Sequence, residues 1–346
     1  MGACTVLSDR QKLILSAIVD DYVRSAEPVG SRSISKRGDV IFSPATIRNE
    51  MSDLEELGYL EQPHTSAGRI PSHKGYRYYV DHLMQSGTFS PQDLNVIKRF
   101  FAEKMQEMEY VIQQVATALS SLTNYTSIVL GPEVFSTSLR HVQLVPLNDR
   151  NAVAIIVTST GHVENRMIEI PEGISVADME KTFAILNAKL KDVPLIQLKS
   201  KLYSEVAQEL GKYVNGYESL VQILESVFEN DEHDRLFMSG ATKMLVQPEF
   251  KDVDKVKGIL ELLEETPTLV RMISSAPEGI QVRIGSENTL QAMANCSLIT
   301  ASYSIEGQNL GAIGIIGPTR MEYGKMISLL DHLSRDLSIL LSRWYK

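Results

Sequence analysis

Cysteine is nearly absent: the 346 residues hold two, Cys4 and Cys296, at opposite ends of the chain. That excludes a disulfide framework and any Cys-rich zinc module, and it suits a reducing compartment. Long hydrophobic runs are missing too. Stretches such as Ala152–Val157 or Leu310–Gly317 fall far short of the roughly 20 residues needed to span a bilayer. No basic stretch followed by an apolar segment opens the chain, and Val6 stands where a myristoylation signal carries Ser or Thr. A soluble cytoplasmic protein without membrane contact is the expectation. Signatures of catalysis are also lacking: there is no metalloprotease His pair, phosphate-binding loop or nucleophile elbow. Gly311, Gly314 and Gly317 depart from the dinucleotide fingerprint and lie in a strand-like run, where close packing explains them. Cys296 could be imagined beside His141 or His162 as a thiol–imidazole pair, but next to Leu298-Ile299 it reads better as a core residue. No enzyme, cofactor or metal site is expected.

What is present is ordinary globular material, 43% hydrophobic and 22% charged, enough for two or three domains. The net charge is −9, which argues against a uniformly basic nucleic-acid coat. Its distribution is more telling. Gly30–Asn49 carries Arg32, Lys36, Arg37 and Arg48 against Asp39, and Gln62–Val80 carries Arg69, Lys74, Arg77 and two histidines with no acid. Between them Glu50–Glu61 has Glu50, Asp53, Glu55, Glu56 and Glu61 and no base. Two basic islands on an acidic body can make a localised phosphate-binding face, or simply a mixed solvated surface.

Ser8-Asp9-Arg10-Gln11 is a capping box, followed by Leu13, Ile14, Ala17, Ile18 and Tyr22 at helical spacing. That helix should stop near Glu27-Pro28. A second is expected over Ser31–Arg37, ending at Gly38. Ser43-Pro44 then supplies an N-cap and a proline at the first helical position, and the third helix runs to Leu57 with Gly58 as its stop. Three short helices with a well-capped third read as a helix-turn-helix. Ile47, Met51 and Leu54 fall on one stripe of that third helix; Ala45, Asn49 and Ser52, flanked by Thr46 and Arg48, fall opposite. Arg suits guanine, Asn adenine, and small methyl-bearing groups thymine. Because Asp53, Glu55 and Glu56 would repel phosphate, the helix should enter a groove by its N-terminal end. Tyr59–Gln62 and Arg69–Pro71 look like short strands around the tip Pro63–Gly68, a wing able to approach DNA. The expected base-edge contacts are Ala45, Thr46, Arg48 and Asn49, with Ser52 on the same face. Ser31, Arg32, Ser43 and Arg69 are expected at phosphates or the wing contact, and His64 and Thr65 at the wing tip. Ser72 caps a further helix whose Tyr76, Tyr79, Val80 and Leu83 should close the wing's apolar side.

Beyond a linker at Gln85–Thr88, Leu94, Ile97, Phe101, Lys104, Met108, Val111, Val115, Ala118 and Leu122 step by alternating threes and fours. Such a seam packs against a partner helix or against the chain's own sheet. Strand patterns follow at Ser127–Leu130, Val142–Pro146, Ala152–Thr158 and Val163–Ile170, then a helix near Val176–Leu190. Strands return at Gln281–Ile284, Leu298–Ile305 and Gly311–Gly317 before a last helix, Tyr323–Leu341. The helical, acidic block between suggests an α+β domain interrupted by an insertion.

Glu27–Arg32, Ser43–Met51, Asp53–Leu60, Pro63–Pro71 and Lys74–Asp81 resemble the heat-inducible transcription repressor HrcA family, densely over about 75 residues and more thinly through Leu310–Pro318. The lead Met1–Thr5 and the stretch Lys36–Phe42 depart from that pattern. The resemblance implies a multidomain α+β fold: a winged helix-turn-helix at 1–85, a linker and long helix at 86–122, a GAF-like domain at 123–190 and 281–346, and a largely helical inserted dimerisation domain at 191–280. It further implies a cytoplasmic, nucleoid-associated homodimer that represses chaperone genes from an inverted-repeat operator, CIRCE, is inactivated by heat, and is restored by the GroEL chaperonin. A small-molecule-sensing regulator with a GAF-like pocket is the alternative.

Overall fold

The structure is a computed structural model. It describes residues 7–342 apart from 65–66, 86, 88, 90–92, 94–96, 98–107, 132–137, 149, 160, 162, 172–173, 212–216, 228–235, 251, 275–276 and 306–307. The chain divides into two compact units, one holding 1–103, 112–130 and 236–340, the other chiefly 131–235.

The first unit opens with a winged helix-turn-helix head. Helix α1 (Asp9–Ser25) begins on the expected capping box, Ser8 and Gln11 exchanging side-chain and backbone hydrogen bonds, and ends at Ala26 in a left-handed conformation. Helix α2 spans only Ser31–Ile34, shorter than expected, because the chain tightens into i→i+3 turns through Arg37. Helix α3 (Pro44–Glu56) starts at Ser43, whose hydroxyl accepts from the Thr46 amide. Ile47, Met51 and Leu54 are buried with Ile14, Leu15 and Ile18 of α1 in the same head. Strands β1 (Leu60–Glu61) and β2 (Ile70–Pro71) pair as the wing, and a bridge joins Val29 to Arg69 with both backbone bonds at 2.9 Å. Helix α4 (His73–Tyr78) follows its Ser72 cap and continues as a π turn over Tyr79–Leu83. Tyr78, and not the expected Tyr76 or Tyr79, packs edge-on against Tyr59 beside the wing; Tyr76 packs on Tyr323 and the Tyr79 hydroxyl donates to Asp20.

The α+β part of this unit is a five-stranded antiparallel sheet of order β7–β3–β10–β9–β8, formed by β3 (Thr126–Leu130), β7 (Leu236–Ser239), β8 (Ile280–Ile284), β9 (Cys296–Ile305) and β10 (Gln308–Pro318). Side-chain alternation assigns its faces. Ile128, Leu130, Leu298 and Ile316 share one core with Ile259, Leu263, Leu269 and Ile273 of α10 (Val253–Glu264) and α11 (Thr266–Ser274). On the opposite face Ser127 donates to the Ala116 carbonyl of α5 (Met108–Thr123), and Ser297 bonds Tyr323 at the start of α12 (Tyr323–Ser342). Val111, Ile112, Val115, Ala118 and Leu119 of α5 are buried by the chain's own atoms. The heptad-like stripe is therefore satisfied internally at those positions. Residues 98–107 of that stripe lie outside the described residues. A Cβ on Gly311 would sit 2.2 Å from the Leu130 carbonyl, so close strand packing does account for that glycine.

The second unit contains β4 (Leu139–Pro146), β5 (Asn151–Thr158) and β6 (Val163–Glu169) as a separate three-stranded antiparallel sheet. Helices α6 (Val176–Leu190), α7 (Leu195–Lys201), α8 (Ala207–Leu210) and α9 (Tyr217–Val227) supply the rest. Asn187 of α6 both accepts from and donates to the Val142 backbone, and Leu139, Val142, Ala154 and Ile156 are buried with Phe183 and Leu186. The expected limits of the interruption therefore move. Strands β4–β6 pair with one another and not with the five-stranded sheet, so 131–190 joins the inserted unit, while 236–280 belongs with the sheet it covers.

Candidate nucleic-acid interface

A helix N-terminus leaves its first amides without carbonyl partners. In α3 the Ser43 hydroxyl takes the Thr46 amide at 3.1 Å and meets the Thr46 hydroxyl at 2.9 Å, so these two side chains are spent on the cap. Along the same helix Ala45, Arg48, Asn49 and Ser52 are all exposed on the face opposite buried Ile47, Met51 and Leu54. No carboxylate among the described residues pairs with Arg48. The expected base-edge set is thus brought together on one open surface, with Thr46 half-buried at its edge.

The expected phosphate set is more divided. Arg32 is exposed on α2, and Ser31 beside it is half-buried at the first helical position. His64 is exposed at the wing tip, where its carbonyl accepts from the Ala67 amide; Thr65 lies outside the described residues. Arg69 is turned inward. Its guanidinium meets Glu55 of α3 at 2.7 and 2.9 Å with 19% of the side chain exposed, so it ties the wing to the recognition helix.

Much of the basic charge counted in the sequence is used in the same way. Arg37 bonds Asp21 at 2.7 Å, Asp39 at 2.9 Å and the Ala17 carbonyl at 3.1 Å. The hydrogen bond from Arg37 holds the Asp39 carboxyl below its usual range. Lys74 donates to the Leu57 carbonyl and lies 4.3 Å over the Tyr59 ring. Arg77 reaches Glu287 and the Val282 carbonyl of the five-stranded domain. Burial opposes ionisation of Glu287, yet the bonds from Arg77 and the Ile284 amide keep its carboxyl below the ordinary range. The arginines of the second island are therefore committed to carboxylates and its exposed Lys74 to a carbonyl, so the uncommitted cations of the two islands narrow to Arg32, Lys36 and Arg48, all exposed.

Three further features, which the sequence pattern does not announce, belong to the head and its seat. Arg10 lies over the Phe42 ring and bonds Glu50 at 3.1 Å, bracing α1 against α3. Ile41, next to Phe42, is 88% exposed. Arg320, just before α12, bonds the head. The Asp20-Asp21 pair opposite a basic loop could have signalled the fate of Arg37; nothing in the local pattern marks Arg320. Cys296 is fully buried in the sheet core, and burial pushes its thiol up to about 12, which leaves it protonated at neutral pH. No helix among the described residues is long and apolar enough to cross a membrane.

A three-helix head with a wing and an open third-helix face, followed by an α+β domain, defines a winged helix-turn-helix DNA-binding protein. Comparison with known proteins makes this particular. The family described as "Winged helix-turn-helix transcription repressor, HrcA DNA-binding" matches residues 6–82, and that described as "HrcA protein C terminal domain" matches 109–327. The heat-inducible transcription repressor HrcA of Brevibacillus brevis is 55% identical over 341 residues, covering 99% of this chain and 100% of that protein. Its counterpart in Halalkalibacterium halodurans is 54% identical, covering 99% of both. A crystal structure of a hypothetical protein, 26% identical, superposes with a TM-score of 0.69 over 98% of this chain and 100% of that one. The chain belongs to the HrcA family, whose members named here are transcription repressors and not enzymes.

Proposed function

We propose that this chain represses heat-shock chaperone genes as a homodimer, each head placing the N-terminal half of α3 in one half-site of an inverted repeat of the CIRCE type. Twofold protein symmetry matches a palindromic operator. The observation that carries the reading is the open Ala45–Arg48–Asn49–Ser52 face on a helix whose other side is sealed. Arg48 and Asn49 read base edges; Arg32, Ser31 and the Ala45 amide at the start of α3 hold phosphates, with His64 and Thr65 at the wing tip. Heating removes the DNA-competent form, and the GroEL chaperonin restores it. A stability of about 5–15 kcal/mol, which partner binding can shift, suffices for that switch. Cytoplasmic residence on the nucleoid follows from the role.

The experiment is a footprint of the purified protein on fragments upstream of chaperone genes, before heating, after heating, and after heating with chaperonin. Protection of an inverted repeat that is lost on heating and regained with chaperonin is expected. Recovery only with a small-molecule extract would favour the alternative, ligand sensing through a pocket of the GAF-like domain.

The open face of β4–β6 supports dimerisation. Val145, Val163 and Met167 are exposed there, at 36%, 57% and 74%, around half-buried Val153, Ile155 and Val157. Such an apolar surface is a candidate for cover by a second copy. Met167→Lys with Val163→Lys should give monomers in sedimentation with unchanged circular dichroism, and weak operator binding with half-site affinity retained. A persistent dimer would contradict this assignment.

Because Glu55 already neutralises Arg69, Arg69→Ala should weaken all DNA on the order of 1 kcal/mol through a displaced wing. The salt slope should stay unchanged, where loss of a phosphate contact would reduce it by about one. Binding isotherms at four salt concentrations decide between the two.

A further inference from the structure

The last turn of α1 ends with carbonyls that have no helical partner. One of them, Val23 O, accepts from Arg320 Nη1 at 2.7 Å, although Arg320 lies 297 residues away between β10 and α12. A cation at a helix C-terminus meets the negative end of the dipole. Arg320 is itself held: its Nε lies 2.5 Å from Glu249 Oε1, its Nη2 3.4 Å from Glu249 Oε2 and 3.5 Å from Gln247 Oε1, with 12% of the side chain exposed. Around this point the head is seated by other contacts. Tyr76 packs on Tyr323, Arg77 bonds Glu287, and Ser286 donates its amide to His73. A Cβ on Gly285 would fall 2.4 Å from the His73 ring, so the fit leaves no slack. Within the head, α1 is joined to α3 by the shared core and by Arg10–Glu50. A chain of fixed contacts thus runs from Glu249 through Arg320 and α1 to the recognition helix.

We propose that Arg320, anchored by Glu249, is a positioning residue for DNA binding: it fixes the head on the five-stranded domain, so the folded chain and not the Gln85–Thr88 linker sets the half-site spacing the protein accepts. The inference rests on the dimeric reading above. A base pair added between half-sites moves one by about 3.4 Å and rotates it by about 35°, a change that rigid heads cannot follow and tethered heads can.

The test uses full-length wild type, Arg320→Ala, Arg320→Lys and Glu249→Gln on inverted repeats whose spacers differ by single base pairs, and on one isolated half-site. Wild type should lose roughly tenfold or more in affinity for a one-base-pair change. Arg320→Ala should keep half-site affinity but show a flattened spacing preference, and Arg320→Lys should recover part of it. Should Arg320→Ala fail to fold, Glu249→Gln, which keeps the side-chain shape, carries the same expectation. A folded Arg320→Ala or Glu249→Gln with the wild-type spacing preference overturns the proposal, as does a wild type indifferent to spacing. A DNA-independent readout separates this from failure of the repressor reading. Spin labels at Ser52→Cys and Lys257→Cys in a Cys4→Ala background should give a narrow intrachain distance distribution that broadens in Arg320→Ala. If wild type binds no inverted repeat, the function reading fails, and the label distances alone uphold or overturn the clamp: broadening upholds it, equal widths overturn it.

Discussion

Arg48→Ala should cost about 1–3 kcal/mol on the operator and flatten the preference for operator over scrambled DNA. The physical ground is the position of the side chain. Arg48 is exposed on α3, among exposed Ala45, Asn49 and Ser52, while the residues that hold α3 in place, Ile47, Met51 and Leu54, point the other way. Removing the guanidinium therefore leaves the head's core and its melting midpoint unchanged. The first turn of α3 still offers the Ala45 amide and the positive end of its dipole to phosphate, the Thr46 and Ile47 amides being taken by Ser43, so binding to scrambled DNA should fall much less than binding to the operator. Asn49→Ala should behave alike with a loss at a different base pair. Equal losses on operator and scrambled DNA would reassign Arg48 to the phosphate backbone. The contrast with Arg69 is direct: one arginine is free to read, the other is already bound to Glu55.

The largest structural effect is expected at Gly75. A Cβ there would lie 2.1 Å from the Tyr59 carbonyl oxygen and 3.1 Å from its carbon, both backbone atoms that a rotamer change cannot move. The same spot is pinned from below, because Ser72 caps α4 through the Gly75 amide and donates to the Gly58 carbonyl at 2.7 Å. Gly75→Ala must therefore push α4 off β1, which carries the wing. Overpacking of this kind costs about 1–3 kcal/mol or more, a substantial share of the roughly 4–12 kcal/mol that about 0.05–0.15 kcal/mol per residue gives a head of about 80 residues. The head should open, operator binding should vanish, and the β4–β6 unit should stay folded. Amide exchange read by mass spectrometry checks this: fast exchange confined to the head is the expected pattern, and uniform protection like wild type would refute the clash.

What could be read beforehand was local. The capping box at Ser8, the Ser43-Pro44 start of α3 and its two faces each depend on residues within one or two turns, so side-chain chemistry alone settles them. The wing was legible because Gly68 and the short alternating flanks leave little else for the chain to do. The charge islands misled for a reason that spacing cannot express. Whether a cation is displayed or consumed depends on which carboxylate the fold brings to it: Glu55 for Arg69, Glu287 for Arg77, Asp21 and Asp39 for Arg37. The insertion limits slipped likewise. Strands β3 and β4 follow one another in the chain, yet β3 pairs with β7 and β10 while β4 pairs with β5. Register between distant strands is a tertiary choice, and alternation fixes only which side of a strand is apolar. Arg320 could not be found at all from its neighbours, since its partners lie at Val23 and Glu249.

Operator recognition as proposed requires that the N-terminal half of α3, and not the acidic remainder, meets the base edges. A double-mutant cycle between Arg48→Ala and single base-pair changes across one half-site measures this contact by contact. At one position, in a major groove, protein and DNA changes should be coupled by about 1–3 kcal/mol, with coupling near zero elsewhere. Coupling near zero at every base pair, in a protein that still selects its operator, would contradict it.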